Sequence, residues 1–272
     1  MAILKNTFRT DILFKSIFVK YPDLLKGLVT KLLRIRLEDI ESFDIKNTEM
    51  TPELVTSKFC HLDIHMVLNG QQINLEVQQD NEGDFPERAL FHWARAYSNA
   101  LPVGGKYSNL PRTIIISILN FPLFTSYPEF YSHFQALEVT SHKQLTDKLD
   151  LYFFELPNLP EGINKDDPML LWLFLFRANT LEELLEIEAL GVPEMNQAIN
   201  AYHSVTTSPE FQELERMRIK ASHDEAQALH NARTQEREKW QGVVAEKDAA
   251  LTEKEEEIIQ LRAQLAKLQE KS

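Results

Sequence analysis

The sequence predicts an α/β protein: a mixed central sheet with helices on its faces, followed by a helical extension and a C-terminal coiled coil. Asn69-Gly70 is a strong two-residue hairpin signal, because both central positions of a type I′ turn need positive φ. Residues 113–121 form a largely apolar run that is rich in β-branched side chains, which is typical of a central strand buried on both faces. Segments with helical periodicity precede and follow these strands.

Two amphipathic helices are predicted at the start of the chain, over Asp11–Lys20 and Asp23–Leu33, with a break at Tyr21-Pro22. Asp11 is well placed to cap the first helix. Lys15, one turn further on, is expected on the same helix face.

The hairpin around Asn69-Gly70 predicts a register that opposes two acids. With a two-residue loop, each outward step pairs the next two residues, so Asp63 faces Glu76 on the polar face. Two carboxylates about 5 Å apart repel by about 3 kcal/mol at an effective dielectric near 20. A hard divalent cation would offset this repulsion, since Mg²⁺ is held by one or two carboxylates with water and substrate phosphate. A solvated sheet face, whose carboxylates splay apart or share a proton, fits the spacing equally well.

A helix is predicted over Glu87–Leu101 after the hairpin. Arg88 and Arg95 lie on one of its faces with a spacing that suits contact with a phosphate backbone; a solvated face is the alternative. The apolar stripe predicted to face the core consists of Leu90, Trp93, Ala94, Tyr97 and Leu101.

The second half of the chain is predicted to be mostly helical. A strand over Leu149–Leu156 precedes a proline-containing loop at 157–168, and helices follow over Met169–Phe176, Leu181–Leu190 and Glu194–His203. Three parts are expected: residues 1–160 as the core, 161–224 as a helical extension, and 225–272 as the coiled coil.

The C-terminal tail carries a heptad pattern, which predicts a parallel homodimer through a coiled coil. A single solvated helix is the alternative. The repeated positions are Trp240, Val244, Lys247, Leu251, Lys254, Ile258, Leu261, Leu265 and Leu268.

The charge, cysteine content and motifs of the sequence limit the functions that it can have. The 272 residues carry a net charge of −12, which argues against broad nonspecific DNA binding. Residues 1–62 are nevertheless slightly basic, so a phosphate-binding surface is expected to involve this segment and the helix of Arg88. The single cysteine, Cys60, suits a reducing compartment, and no apolar run is long enough to span a membrane; a cytoplasmic location is expected. No phosphate-binding loop, paired cysteines or zinc motif is present, so a divalent metal is the only cofactor suggested.

Asp63, followed on the next strand by Glu76-Val77-Gln78, resembles the D…(E/D)-x-K core of the PD-(D/E)XK nucleases. Gln78 in place of Lys resembles one branch, the Rpn family of recombination-promoting nucleases, which also carries the label of transposase. Asn158 departs from this family, which often has Lys there. The resemblance runs from about Phe8 to about Asp224, and its further motifs are Thr10–Lys15, Arg88–Trp93 with Tyr97, Gly105-Lys106-Tyr107, the strand Ile114–Leu119, Phe121–Phe124, Glu155-Leu156-Pro157, and Asp167-Pro168 with Trp172.

The resemblance implies a restriction-endonuclease-like mixed sheet flanked by helices and a metal-dependent DNA endonuclease linked to recombination or transposition. Mg²⁺ or Mn²⁺ would be bound by Asp63 and Glu76, with Asp11 as a further ligand unless it only caps its helix. Gln78 would orient water or phosphate without bringing a positive charge. DNA would be contacted by Arg88, Lys15 and Arg95.

A second function remains open at this stage. The missing lysine and the acidic charge favour a catalytically weak or inactive nuclease fold that serves as a DNA- or partner-binding regulatory module.

Overall fold

The computed structural model describes residues 2–49, 63–81, 83–126 and 128–269. The chain forms two compact units, Met1–Met217 and Arg218–Ser272. The first unit contains the sheet and the helices that pack on it, and the second consists of the greater part of a long C-terminal helix. Among the described residues, no helix is both long and apolar enough to cross a membrane.

Six strands of the described chain form one mixed sheet in the order β1-β2-β3-β4-β6-β5. Strands β3, β4 and β6 run parallel, while β1, β2 and β5 are antiparallel to their neighbours. This arrangement confirms the predicted α/β class with a mixed central sheet. The strands are β1 Phe43–Ile45, β2 Ile64–Leu68, β3 Gln71–Gln78, β4 Thr113–Leu119, β5 Tyr131–Phe134 and β6 Leu149–Glu155.

The helices of the described chain agree closely with the predicted segments. One continuous helix, Pro209–Gln269, crosses residue 224, where the helical extension was expected to give way to the coiled coil. The helices are α1 Asp11–Lys20, α2 Pro22–Leu32, α3 Phe85–Asn99, α4 Pro168–Arg177, α5 Leu181–Ala189, α6 Pro193–Thr206 and α7 Pro209–Gln269. The expected division at residues 160 and 224 stays a prediction.

The hairpin has the predicted register. Leu68 pairs with Gln71, and the pairing continues outward to Ile64 and Leu75. Asn69 and Gly70 both have positive φ, 49° and 76°, as the tight turn requires. The same register predicts that Leu62 pairs with Val77 and His61 with Gln78, and these two pairings lie outside the described residues.

The apolar face of the hairpin packs on α1, α2 and the helices that follow β6. This large core contains Ile64, Leu75, Phe18 and Trp172, and each is almost fully buried. This core therefore covers one face of the sheet. Glu76 lies on the opposite face, which α3 covers.

Helix α3 covers that opposite face with residues spaced four apart. Phe85 and Ala89 are buried against β4 and β6, and the Trp93 indole donates a hydrogen bond to the Thr113 carbonyl at 3.1 Å. The predicted stripe was wrong in part, because Leu90 is 48% exposed and Ala94 is also exposed. The face that α3 buries is set by where the helix crosses the sheet, and it lies one residue away from the predicted one.

A second correction concerns the start of α1. The residue at the N-cap position is Thr10, and Asp11 is the first residue within the helix. Asp11 therefore sits in the first helical turn, where its negative charge interacts favourably with the helix dipole.

A buried acid fixes the opposite end of the sheet. Asp150 in β6 is fully buried, and it accepts hydrogen bonds from Arg112 at 2.5 Å, from His133 at 2.7 Å and from Gln135 at 2.8 Å. Burial raises the pKa of Asp150, but these hydrogen bonds outweigh it and lower the pKa to about 2. The cluster joins β5 and β6 to the residue that precedes β4.

Candidate active site

Two acids come together at the end of the hairpin. Asp63 and Glu76 are the next residues outward from the pair formed by Ile64 and Leu75, and their side chains are only 8% and 6% exposed. Burial, and then the charge of Asp63, raise the pKa of Glu76 to about 7. The structure thus brings the two predicted carboxylates close enough for one to resist ionisation of the other.

Glu76 is held from the neighbouring parallel strand. Ser117 of β4 pairs with Glu76 across the sheet, and its hydroxyl donates a hydrogen bond to Glu76 Oε1 at 2.8 Å. Ser117 is completely buried, so this donor has no competing water. The hydrogen bond lowers the pKa of Glu76, but by less than burial and Asp63 raise it.

Asp63 is held by its own hairpin. The amide of Asn74 donates to Asp63 Oδ2 at 3.3 Å, and His65 Nε2 lies 3.8 Å from the same oxygen. Asn74 is 3% exposed, and its Oδ1 accepts no hydrogen bond from any described residue. This donation assigns the amide orientation, because the reverse would set Oδ1 against a carboxylate oxygen.

The N-terminal segment reaches the same end of the sheet. The Gln79 side chain donates to the Arg9 carbonyl at 2.6 Å, which ties the end of β3 to the residues before α1.

The basic residues near the pair act on His65. Lys15 in α1 is buried, with 2% of its surface exposed. Burial lowers the pKa of His65, and Lys15 and Arg95 lower it further against the opposing effect of Asp63.

The other predicted site residues occupy different positions. Gln78 is half-buried two residues beyond Glu76 on the same sheet face, opposite Leu119. The Arg88 guanidinium lies 4.8 Å from the centre of the Phe85 ring, and its charge acts to lower the pKa of Glu76. Arg95 is exposed on α3. The roles predicted for these residues stay predictions.

The donor set fits a hard divalent cation. Both acids supply oxygen ligands, both are buried, and their mutual repulsion would be relieved by positive charge. Within the described ranges, no three His, Cys, Asp or Glu side chains form a group that could hold a metal ion. Two carboxylates completed by water and phosphate are a common arrangement for Mg²⁺. The assignment of Asp11 as a ligand stays a prediction.

Sequence reasoning did not find Ser117 and Asn74 as site residues. Ser117 interrupts a run of isoleucines in β4, and this break in an apolar strand is the signal that could have found it. Asn74 lies opposite His65, as the hairpin register requires, but the hairpin pattern alone did not show its contact with Asp63.

The six-stranded mixed sheet flanked by helices is consistent with the PD-(D/E)XK fold. The chain belongs to the PD-(D/E)XK nuclease family transposases, whose family model matches residues 8–232 of the 272. Membership points to a nuclease or transposition function and to DNA as a partner, and nucleases of this class generally use divalent metal ions. No curated protein and no solved structure is significantly similar to the chain.

Proposed function

We propose that the protein is a divalent-metal-dependent DNA endonuclease linked to recombination or transposition. The observation that carries the proposal is the buried pair of Asp63 and Glu76, in which Glu76 has a pKa of about 7. A buried like-charge pair is unfavourable in the protein alone and favourable once a cation is bound, so it suits a metal centre better than a structural role.

Asp63 and Glu76 would hold Mg²⁺ or Mn²⁺, and Asp11 is the further ligand proposed from α1. The metal, when bound, polarises the scissile phosphate and lowers the pKa of the attacking water. Ser117 and Asn74 position the two acids through hydrogen bonds from neutral donors.

Gln78 would orient water or phosphate by hydrogen bonding from the same face of β3. An uncharged amide does not stabilise the developing negative charge as an ammonium would, so that stabilisation depends on the metal. Arg88, Lys15 and Arg95 are the proposed DNA contacts. Because Lys15 is buried, it would contact only a phosphate that enters the site and not one on the protein surface.

A second function rests on one observation, the amide of Gln78 where the superfamily has lysine. On this reading the fold binds DNA or a partner and cleaves weakly or not at all.

A cleavage assay separates the two functions. Supercoiled plasmid is incubated with the full chain and Mg²⁺, Mn²⁺, Ca²⁺ or EDTA. We expect cleavage with Mg²⁺ or Mn²⁺, no cleavage with EDTA, and loss of activity in Asp63→Asn and Glu76→Gln. Asp166→Asn, which changes an exposed acid in a loop, is the matched control and should retain activity. Absence of metal-dependent cleavage by the wild type would favour the binding module.

We further propose that two copies pair through the heptad positions of α7. Apolar side chains at these positions are exposed on the helix, including Trp240 at 61%, Val244 at 55% and Leu251 at 61%. A second copy of the helix would offer the same repeat and cover them, since apolar residues repeating every 3.5 positions specify a partner helix. Lys247 and Lys254 at the core positions lower the stability of such a dimer. We also propose a cytoplasmic location, because the single cysteine suits a reducing compartment.

A further inference from the structure

A cavity of about 320 Å³ lies beside the acidic pair, between the hairpin and α3. Its walls include His65, Val67, Gln72 and Asn74 of the hairpin, and Ala96 of α3 closes the side opposite the sheet. Binding sites for small organic groups have volumes of about 300–1,000 Å³, so this one is at the small end.

Asn74 connects the cavity to the site. Its amide nitrogen donates to Asp63, while its Oδ1 faces no donor among the described residues even though the side chain is 3% exposed. A ligand in the cavity therefore lies one side chain away from the acidic pair.

The chemistry of the walls selects the kind of ligand. Val67 and Ala96 are apolar and suit the faces of a planar ring, while the amides of Gln72 and Asn74 suit its polar edge. An anion is disfavoured at the Asn74 end of the cavity, because it would lie near Asp63. Nucleobases combine apolar faces with an edge that carries N–H donors.

The rim of the cavity is accessible. The side chains of Lys46 and His65 line the cavity and are 56% and 47% exposed. The Lys46 ammonium at this rim pairs with Asp44, and it would exchange that partner for the phosphate of a nucleotide whose base has entered.

We propose that this cavity binds an unpaired nucleobase next to the scissile phosphate. The inference rests on the proposed endonuclease function and deepens it by naming the substrate: DNA in which a nucleotide beside the cleaved bond is single-stranded, mismatched or readily extruded. A base within a duplex must leave the stack to reach a pocket, and this is least costly for a base that is already unpaired.

The test measures binding separately from cleavage. Oligonucleotides carry one 2-aminopurine, either fully paired or unpaired, and are titrated with the full chain in EDTA and in Ca²⁺. The base-contacting walls Val67 and Ala96 are not aromatic, so entry of the 2-aminopurine should increase its fluorescence several-fold. We expect the unpaired substrate to bind at least about tenfold more tightly than the paired one, which corresponds to about 1.4 kcal/mol.

Two variants probe the cavity itself. Ala96→Leu fills it, and Ala94→Leu makes the same change at an exposed position of α3 outside it. Ala96→Leu should remove the preference for the unpaired base and the fluorescence increase, and Ala94→Leu should retain both. Gln72→Ala removes a polar group from the cavity wall and places no extra atoms in the cavity. It should weaken the preference for the unpaired base, and it therefore tests the cavity even if Ala96→Leu misfolds.

The outcomes separate this inference from the endonuclease proposal. A fluorescence increase without cleavage under any metal would leave the base pocket standing and overturn the endonuclease. Cleavage with equal affinity for paired and unpaired substrates and no fluorescence change would overturn the pocket and leave a cavity that holds water. Equal behaviour of the Ala94 and Ala96 variants would also overturn it.

Discussion

Replacing Glu76 by glutamine tests the electrostatics of the acidic pair without reference to catalysis. The pKa of Glu76 in the folded protein is about 7, against an ordinary value of 4.5, and burial is the main cause, followed by Asp63. The folded chain therefore binds a proton that the unfolded chain releases between these values. The stability from this proton is fully present below about pH 4.5 and is lost as the pH rises through 7.

The magnitude follows from that difference. Each pKa unit corresponds to about 1.4 kcal/mol, so ionisation of Glu76 lowers the free energy of unfolding by about 3 kcal/mol at alkaline pH. Glu76→Gln keeps an oxygen that can accept the hydrogen bond from Ser117 but cannot ionise. In EDTA at pH 8, the variant should therefore be more stable than the wild type by up to that amount, while near pH 5 the two should be similar.

The assay is urea denaturation followed by circular dichroism at pH 5, 6, 7 and 8. Glu186→Gln, which neutralises an exposed acid on α5, is the control and should parallel the wild type. Adding Mg²⁺ or Mn²⁺ at pH 8 should stabilise the wild type and not Glu76→Gln, because only the wild type offers both carboxylates. Parallel pH curves for the wild type and Glu76→Gln would refute the reasoning.

Three further changes have defined outcomes. Gln78→Ala should lower plasmid turnover about 10²-fold if the amide stabilises developing charge, whereas unchanged turnover would make it a bystander. Asp150→Asn should lower the free energy of unfolding, measured with urea, by about 2 kcal/mol at pH 7. The loss should become smaller as the pH falls from 4 towards the folded pKa of about 2, and an equal loss at pH 7 and at low pH would contradict this prediction. Leu251→Glu with Ile258→Glu should give a monomer by light scattering; a persistent dimer would place the interface elsewhere.

The hairpin was predictable because its determinants are local. Asn69 and Gly70 specify the turn, the turn fixes the register, and alternation decides which face is buried. The buried face of α3 was predicted less well, because Leu90 and Ala89 are neighbours with similar apolar character. Only the packing of α3 on β4 decides that Ala89 is covered and Leu90 is exposed.

The support of the acidic pair could not be predicted in the same way. Ser117 contacts Glu76 from 41 residues away, through a parallel pairing whose register no turn specifies. The prediction that Asp63 opposes Glu76 needed only the hairpin, whereas the donor to Glu76 needed the assembled sheet. The position of the two acids could therefore be predicted from the local sequence, whereas the hydrogen bond from Ser117 depends on the long-range topology of the sheet.

The identity of those donors bears on the choice between an endonuclease and a binding module. Ser117 and Asn74 are neutral, so they position Glu76 and Asp63 without cancelling their charge, unlike Arg112, which pairs directly with the buried Asp150 at the other end of the sheet. The hydrogen bonds from Arg112 and its neighbours lower the pKa of Asp150, whereas the pKa of Glu76 is raised despite the charge of Arg88. The raised pKa of Glu76 beside Asp63 is what a bound cation would relieve, and this supports the proposed endonuclease over the binding module.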